Sequence, residues 1–287
     1  MILIDMNQVC ISNLMMQIGS KRQNDVDESL VRHMVLNSLR MYRSRFGEKY
    51  GELVLCYDSK KYWRRDYFPN YKSNRKKDRA NSGLDWNTIF ETLNNIRDEI
   101  KETFPYKVLE VEGAEADDCI AAIVQHVAET PSEFEHILIL SGDKDFIQLH
   151  SDNVRQYNPI LNKYVGKDET PSIYIREHIL KGDRSDGVPN VLSDDNVFVE
   201  GRRQRPLSSK KLKEWSAEGF LYHTLNDEEQ KNYDRNRKLI DLTFIPQELE
   251  EKIKSEFDNI KVATRDKILN YFISRKLKTL IEIIDEF

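Results

Sequence analysis

No apolar run in this 287-residue chain approaches the ~20 residues needed to span a bilayer. Its start, MILI, has only four apolar residues before Asp5 and no basic segment ahead of them, so neither a membrane span nor a secretory signal is expected. Cysteine is scarce: Cys10, Cys56 and Cys119 have no paired spacing, which predicts reduced thiols and a cytoplasmic setting. The six histidines, at 33, 126, 136, 150, 178 and 223, form no HExxH or similar pair, so a metal ion would be bound through carboxylate oxygen. Internal repeats and low-complexity linkers are also missing. Charge is plentiful, with 49 acids and 44 bases giving a net −5, and it is strongly segregated along the chain. With 39% hydrophobic residues, this composition suits a soluble globular protein with one sizeable domain and a smaller second one.

Short apolar runs at 2–4, 52–57 (ELVLCY), 106–113 (YKVLEVEG) and 136–141 (HILILS) read as buried strands. Between them lie helical patterns at 26–46, 85–104 and 115–129. This alternation predicts an α/β fold, a mainly parallel central sheet with helices on both faces. The stretch 154–166 alternates around Asn158-Pro159 and predicts an antiparallel hairpin at or near the sheet edge. Beyond Pro171 the pattern is helical, at 172–182, 208–216, 227–240, 246–257 and 264–286. The expected division is therefore 1–170 and a smaller helical region at 171–287.

Acids stand at the end of every one of these strands. Asp5 follows the first and Asp58 the second. Glu115, Asp117 and Asp118 follow the third, Asp143 and Asp145 the fourth, and the loop KGDRSDG adds Asp183 and Asp186. In GAEADDCIAAIVQHV the three acids have a simpler reading, because carboxylates in a first helical turn favour the macrodipole by roughly 0.3–1 kcal/mol each. The set as a whole defeats that reading. In open α/β sheets ligands bind beyond the carboxyl ends of the strands. Two carboxylates ~4 Å apart repel by about 4 kcal/mol at an effective dielectric near 20. Hard divalent cations neutralise such a cluster, and two Mg²⁺ ions, with Mn²⁺ as a substitute, suit phosphoryl chemistry.

A basic segment follows Asp58 directly. KKYWRRDYFPNYKSNRKKDR (60–79) holds nine Lys/Arg, among them Arg64, Arg65, Lys72, Arg75, Lys76 and Lys77, interleaved with five aromatics including Tyr71. Bases with aromatics suit phosphate contacts and stacking on unpaired bases. A second stretch, GRRQRPLSSKKLK (201–213), carries Arg202, Arg203, Arg205, Lys210, Lys211 and Lys213 with no acid, and reads as a phosphate-binding loop before a helix.

Taken together, Asp5, Asp58, FPNYKSNR, EADD, SGDKDFIQL and KGDRSDGVPNV resemble the 5′ nuclease superfamily of flap endonucleases and 5′→3′ exonucleases. The similarity runs over nearly the whole chain. It is strongest to the T-even phage ribonuclease H branch, through YWRRD, EADD, DFxQLH, ILKGD and a late L-I-D before I-P (239–246). The resemblance implies a PIN-like nuclease core with a basic arch or bridge at 60–80, and a helix-turn-helix-like element around 178–216 that grips duplex backbone. It also implies residue roles. Asp5, Asp58, Glu115 and Asp117 would hold a first metal, with Asp143 near both ions and Asp145, Asp183 and Asp186 at a second, while Asp118 belongs to the acidic run. Lys72 and Arg75 would engage the scissile phosphate from one helical face, and Tyr71 would stack on a terminal base. One departure stands out: SDGVPNV lacks the Gly-Ile-Gly turn that often holds a monovalent cation in relatives.

The expected activity is Mg²⁺-dependent, structure-specific 5′ nuclease action, as exonuclease, flap endonuclease and remover of RNA primers, in phage-type DNA replication and repair. The implied partners are branched, nicked or flapped DNA and RNA–DNA hybrids, a single-stranded-DNA-binding protein and a sliding clamp, acting on a monomer. The alternatives are a PIN-type ribonuclease and a catalytically idle DNA-binding factor, although duplex binding alone gains nothing from acids facing phosphate. A HAD-type phosphatase would want a second Asp at position 7, where Asn7 stands.

Overall fold

The four buried strands expected from the sequence are β1 (Ile2–Asp5), β2 (Leu53–Cys56), β3 (Lys107–Leu109) and β4 (Ile137–Leu140) in the computed structural model. It describes residues 1–21, 26–129, 136–166, 170–217, 219–220 and 222–287. The hairpin supplies β5 (Val154–Asn158), a fifth parallel strand, and β6 (Lys163–Tyr164), which pairs antiparallel with it at the edge. The order is β3-β2-β1-β4-β5-β6, so the chain reverses direction across the sheet between β1 and β4. That reversal opens a crevice beyond their carboxyl ends.

Helices α1 (Met6–Lys21), α2 (Glu28–Tyr50), α3 (Trp63–Tyr67), α4 (Asn74–Asn81), α5 (Trp86–Thr103) and α6 (Ala116–Glu129) fill the connections. After the hairpin come α7 (Pro171–Lys181), α8 (Ser209–Ser216), α9 (Asp227–Ile240), α10 (Gln247–Asn259), α11 (Lys267–Ser274) and α12 (Lys278–Ile281). Strand side chains alternate between faces. Ile2, Ile4, Leu53, Leu55, Leu138 and Leu140 pack under α1, α2, α5, α11 and α12. Leu3, Val54, Cys56, Ile137 and Ile139 pack under α6 and α10. Helix α1 was not expected, yet Met6, Val9, Cys10 and Leu14 bury one face of it. The segment read as one helix over 264–286 is broken after Ser274, where Lys276 takes φ +58°.

A third cluster, with Phe68, Ile179, Leu180, Val188, Val191, Tyr233 and Leu239, joins α7 and α9 to the arch segment. The chain then returns to the sheet. Ile253 and Phe257 of α10 enter one face, and Phe272, Leu280 and Phe287 enter the other. Among the described residues, the stretch from α7 to α9 thus shares with the arch segment a core apart from the sheet. Among the described residues no helix is long and apolar enough to cross a membrane.

Candidate active site

Parallel strands deliver their last residues to one edge, and the acids arrive there with them. Asp5 closes β1, accepting from the Gln8 N–H (3.1 Å) and from Ser141 Oγ just past β4 (3.0 Å). Asp58, two residues beyond β2, accepts from the Ala116 N–H that opens α6 (2.7 Å), a helix N-terminus that favours negative charge. Glu115 is buried and receives Lys72 Nζ at 2.5 Å, Arg64 at 3.0 Å and the Tyr71 hydroxyl at 3.1 Å. Asp143 caps the short turn Lys144–Leu149 that carries Asp145.

Asp183 and Asp186 come from the loop after α7. That loop turns through Gly182 (φ +66°), where a Cβ would meet the Val188 carbonyl at 2.4 Å. It also touches the arch: the Lys72 N–H donates to the Asp186 carbonyl (2.7 Å), and a Cβ on Gly187 would stand 2.9 Å from the Asn70 carbonyl. Asp186 then accepts from Tyr71 (3.0 Å) and Arg75 (2.8 Å), with Lys72 at 3.5 Å.

Crowding shows in the titration of these groups. Burial, then Asp58 and Asp143, raise Asp5 to about 6. Burial, followed by Asp143 and Asp5, pushes Asp117 well above the usual carboxylate range. Asp145 rises to about 7 through burial and the neighbouring Asp143, Asp183 and Asp186, although His178 opposes this. Glu115 behaves differently: burial would raise it, but Lys72 and Arg64 hold it below its ordinary value. Asp183 is also held low against burial, by His178 and Ser185.

The structure thus brings together Asp5, Asp58, Glu115, Asp117, Asp143, Asp145, Asp183 and Asp186. It separates Asp118 from them. That carboxylate is wholly buried and faces the other way, held by Arg64 (2.8 Å), the Trp63 indole N–H (3.2 Å) and the Glu115 N–H (3.0 Å). Arg64, expected at a nucleic acid, is corrected with it: only 2% exposed, it spans Glu115 and Asp118 and donates to the Leu239 carbonyl (2.8 Å). Tyr71 is also buried, its hydroxyl spent on Glu115 and Asp186, so here it presents no ring for a terminal base. Lys72 and Arg75 do not share a helical face. Lys72 precedes α4 in a left-handed conformation (φ +53°), and the two side chains converge on Asp186.

Arg65, Arg75, Lys76 and Lys77 are exposed on the arch side. Arg65, Arg75 and Lys76 line a cleft of about 600 Å³ that reaches Asp58 and Glu115 and is backed by Phe90 and Leu93. Of the second basic stretch, Arg202 pairs with Glu200 (2.7 Å) and Asp194 (3.3 Å), Arg205 with Glu228 (3.6 Å) and Lys211 with Glu229 (3.2 Å). Acids just before the stretch and at the start of α9 therefore partly offset it. Arg203 and Lys210 are exposed.

Sequence reasoning missed His178. It stands in the last turn of α7 between Asp145 (3.2 Å) and Asp183 (3.8 Å). A single histidine five residues before an Asp carries no ligand spacing, and only the return of the loop brings the three side chains together.

Comparison with known proteins agrees with this geometry. Residues 1–179 match the family model of the 5′-3′ exonuclease N-terminal resolvase-like domain, and residues 169–287 match that of the T4 RNase H C-terminal domain. The chain is 35% identical to the ribonuclease H of Enterobacteria phage T4 over 294 aligned positions, covering 99% of this chain and 95% of that one. It is 32% identical to a 5′-3′ exonuclease of Buchnera aphidicola subsp. Schizaphis graminum over about half of each chain (49% and 48%). Among solved structures it shares the fold of a bacteriophage T5 flap endonuclease in complex with DNA and metal ions (TM-score 0.64, 17% identity, 90% of this chain and 98% of that one). It also shares the fold of a T5 5′-exonuclease with bound zinc (TM-score 0.63, 16% identity, 91% and 98%).

Proposed function

Since the chain belongs to the 5′-3′ exonuclease family, with a T4 RNase H-type C-terminal domain, we propose that it is a Mg²⁺-dependent, structure-specific 5′ nuclease. It hydrolyses phosphodiesters near the 5′ ends of flapped, nicked or primer-bearing strands during DNA replication or repair. The observation that carries this reading is the meeting of eight carboxylates, from five separate segments, beside a basic and aromatic cleft.

The donor set fits hard divalent cations, which take oxygen ligands. Asp5, Asp117 and Asp145 are all raised by burial and by the charge of Asp143. A cation among them relieves that repulsion directly. Asp5, Asp58, Glu115, Asp117 and Asp143 would hold one ion, and Asp145, Asp183 and Asp186 a second, with Asp143 between them. Such a pair stabilises the attacking and leaving oxygens of an in-line displacement.

The chain's own residues do the rest. Ser141 and Gln8 fix the Asp5 carboxylate against β4, and Arg64 fixes Glu115 from behind. Arg75 stands exposed at the rim, where it would meet a bound phosphate, while Lys72, buried between Glu115 and Asp186, would offset growing negative charge from within the cluster. The Arg65, Arg75 and Lys76 wall of the cleft holds a single strand by its phosphates, with Phe90 and Leu93 offering apolar surface to bases. Exposed bases of the second basic stretch, Arg203, Lys210 and Lys213 among them, would contact the duplex backbone. Digestion of 5′-labelled flap, nick and RNA–DNA substrates tests the reading. Short 5′ products are expected, and products trimmed only from the 3′ end would overturn it.

A further inference from the structure

His178 is the one imidazole that the described residues bring to the carboxylate edge. Its side chain is 15% exposed, with Nδ1 3.2 Å from Asp145 Oδ1 and Nε2 3.8 Å from Asp183 Oδ2. One donor atom from each of the three residues lies within 4.8 Å of the others. Metal–ligand bonds of about 2.0–2.2 Å put neighbouring donors of one ion about 3 Å apart and opposed donors about 4 Å apart. The three donors would therefore need to close by less than about 1 Å to share one ion through a single ring nitrogen. Despite its short approach, Nδ1 makes no hydrogen bond of acceptable geometry. The ring's tilt is set from the other side by Tyr174, one turn earlier on α7, which meets it edge-on at 5.8 Å between centroids.

We propose that His178 is a ligand of the second cation, making that half of the centre a mixed carboxylate–imidazole site. The inference rests on the cation-binding part of the function proposed above. Its consequence is selectivity. Carboxylate oxygen suits Mg²⁺ and Mn²⁺, whereas imidazole shifts preference towards Co²⁺, Ni²⁺ and Zn²⁺. An all-oxygen site on the same loops would lack that shift. The competing role for His178 is that of a counter-ion which neutralises Asp145 and Asp183 until a cation displaces it.

Two measurements decide between these roles, and neither needs DNA or cleavage. Pulsed electron paramagnetic resonance of the unaltered protein loaded with Mn²⁺ should show nitrogen coupling from a coordinated imidazole, and the His178→Gln protein should lose it. No nitrogen coupling in the unaltered protein, or coupling that survives the substitution, overturns the proposal. Calorimetric titration should show His178→Gln weakening Co²⁺ binding by at least about tenfold, the lower end of what merely orienting partners cost, with Mg²⁺ affinity nearly unchanged. Equal loss for both ions, or tighter binding of either, identifies a counter-ion and overturns the assignment. If the unaltered protein binds no divalent cation, the cation centre itself falls. If it binds cations without nitrogen, only the assignment of His178 falls.

Discussion

Replacing Arg64 with methionine keeps the aliphatic stem and removes the guanidinium that joins the arch to the site. Two buried carboxylates then lose their shared cation, Glu115 at 3.0 Å and Asp118 at 2.8 Å, and the Leu239 carbonyl loses its donor. At ~3 Å and an effective dielectric near 20, each contact is worth about 5 kcal/mol of Coulomb energy. Desolvation of the three charges cancels much of this. The measurable cost is that of stranding a buried charge, about 3–5 kcal/mol. Glu115 keeps Lys72 and Tyr71, so most of the loss falls on Asp118, which keeps only neutral N–H donors. Against a total stability of about 5–15 kcal/mol, this is a large share. Urea unfolding followed by circular dichroism should show it as a lower midpoint. Arg64→Lys should recover little, because one ammonium lacks the planar fork that spans two carboxylates. A loss within about 1 kcal/mol, the size of an exposed pair, combined with weakened DNA binding, would refute the buried role and return Arg64 to the nucleic-acid surface.

Asp117→Asn and Asp143→Asn should each abolish cleavage while the protein still folds, and should leave metal-free DNA binding equal or tighter; near-normal turnover in either would remove that residue from the centre. Lys72→Ala should lower single-turnover cleavage by about a hundredfold or more, the scale of one preorganised electrostatic contact, while affinity in Ca²⁺ falls much less. A proportional loss of affinity with an unchanged bound-state rate would make Lys72 a backbone anchor only. In chelator, Asp5 (raised to about 6) and Asp145 (raised to about 7) bind protons more readily folded than unfolded. Stability should therefore fall as pH rises from about 4 to 7; unfolding midpoints that climb across that window would contradict the crowding of these acids.

Much of the site was legible because a parallel sheet puts every strand's carboxyl end on one edge. Asp5, Asp58 and Asp143 follow from strand ends alone. Adjacent helical positions resist such reading. Asp117 and Asp118 sit side by side in sequence, yet one faces the crevice and the other Arg64, since successive helix residues point about 100° apart. Arg64 and Arg65 differ in the same way, one buried under Glu115 and one open to the cleft. Composition rates all of them alike. Long-range returns were hidden too. His178 reaches the acids only because Gly182 reverses the chain, and Phe272 and Phe287 enter the sheet's core from the far end of the sequence.

The central claim is that this carboxylate edge hydrolyses phosphodiesters near 5′ ends through bound divalent cations. Single-turnover digestion of a 5′-labelled flap by metal-stripped protein, before and after Mg²⁺ is restored, tests it most directly. The account predicts no cleavage in chelator and short 5′ products once Mg²⁺ is added. Full cleavage in chelator would contradict it.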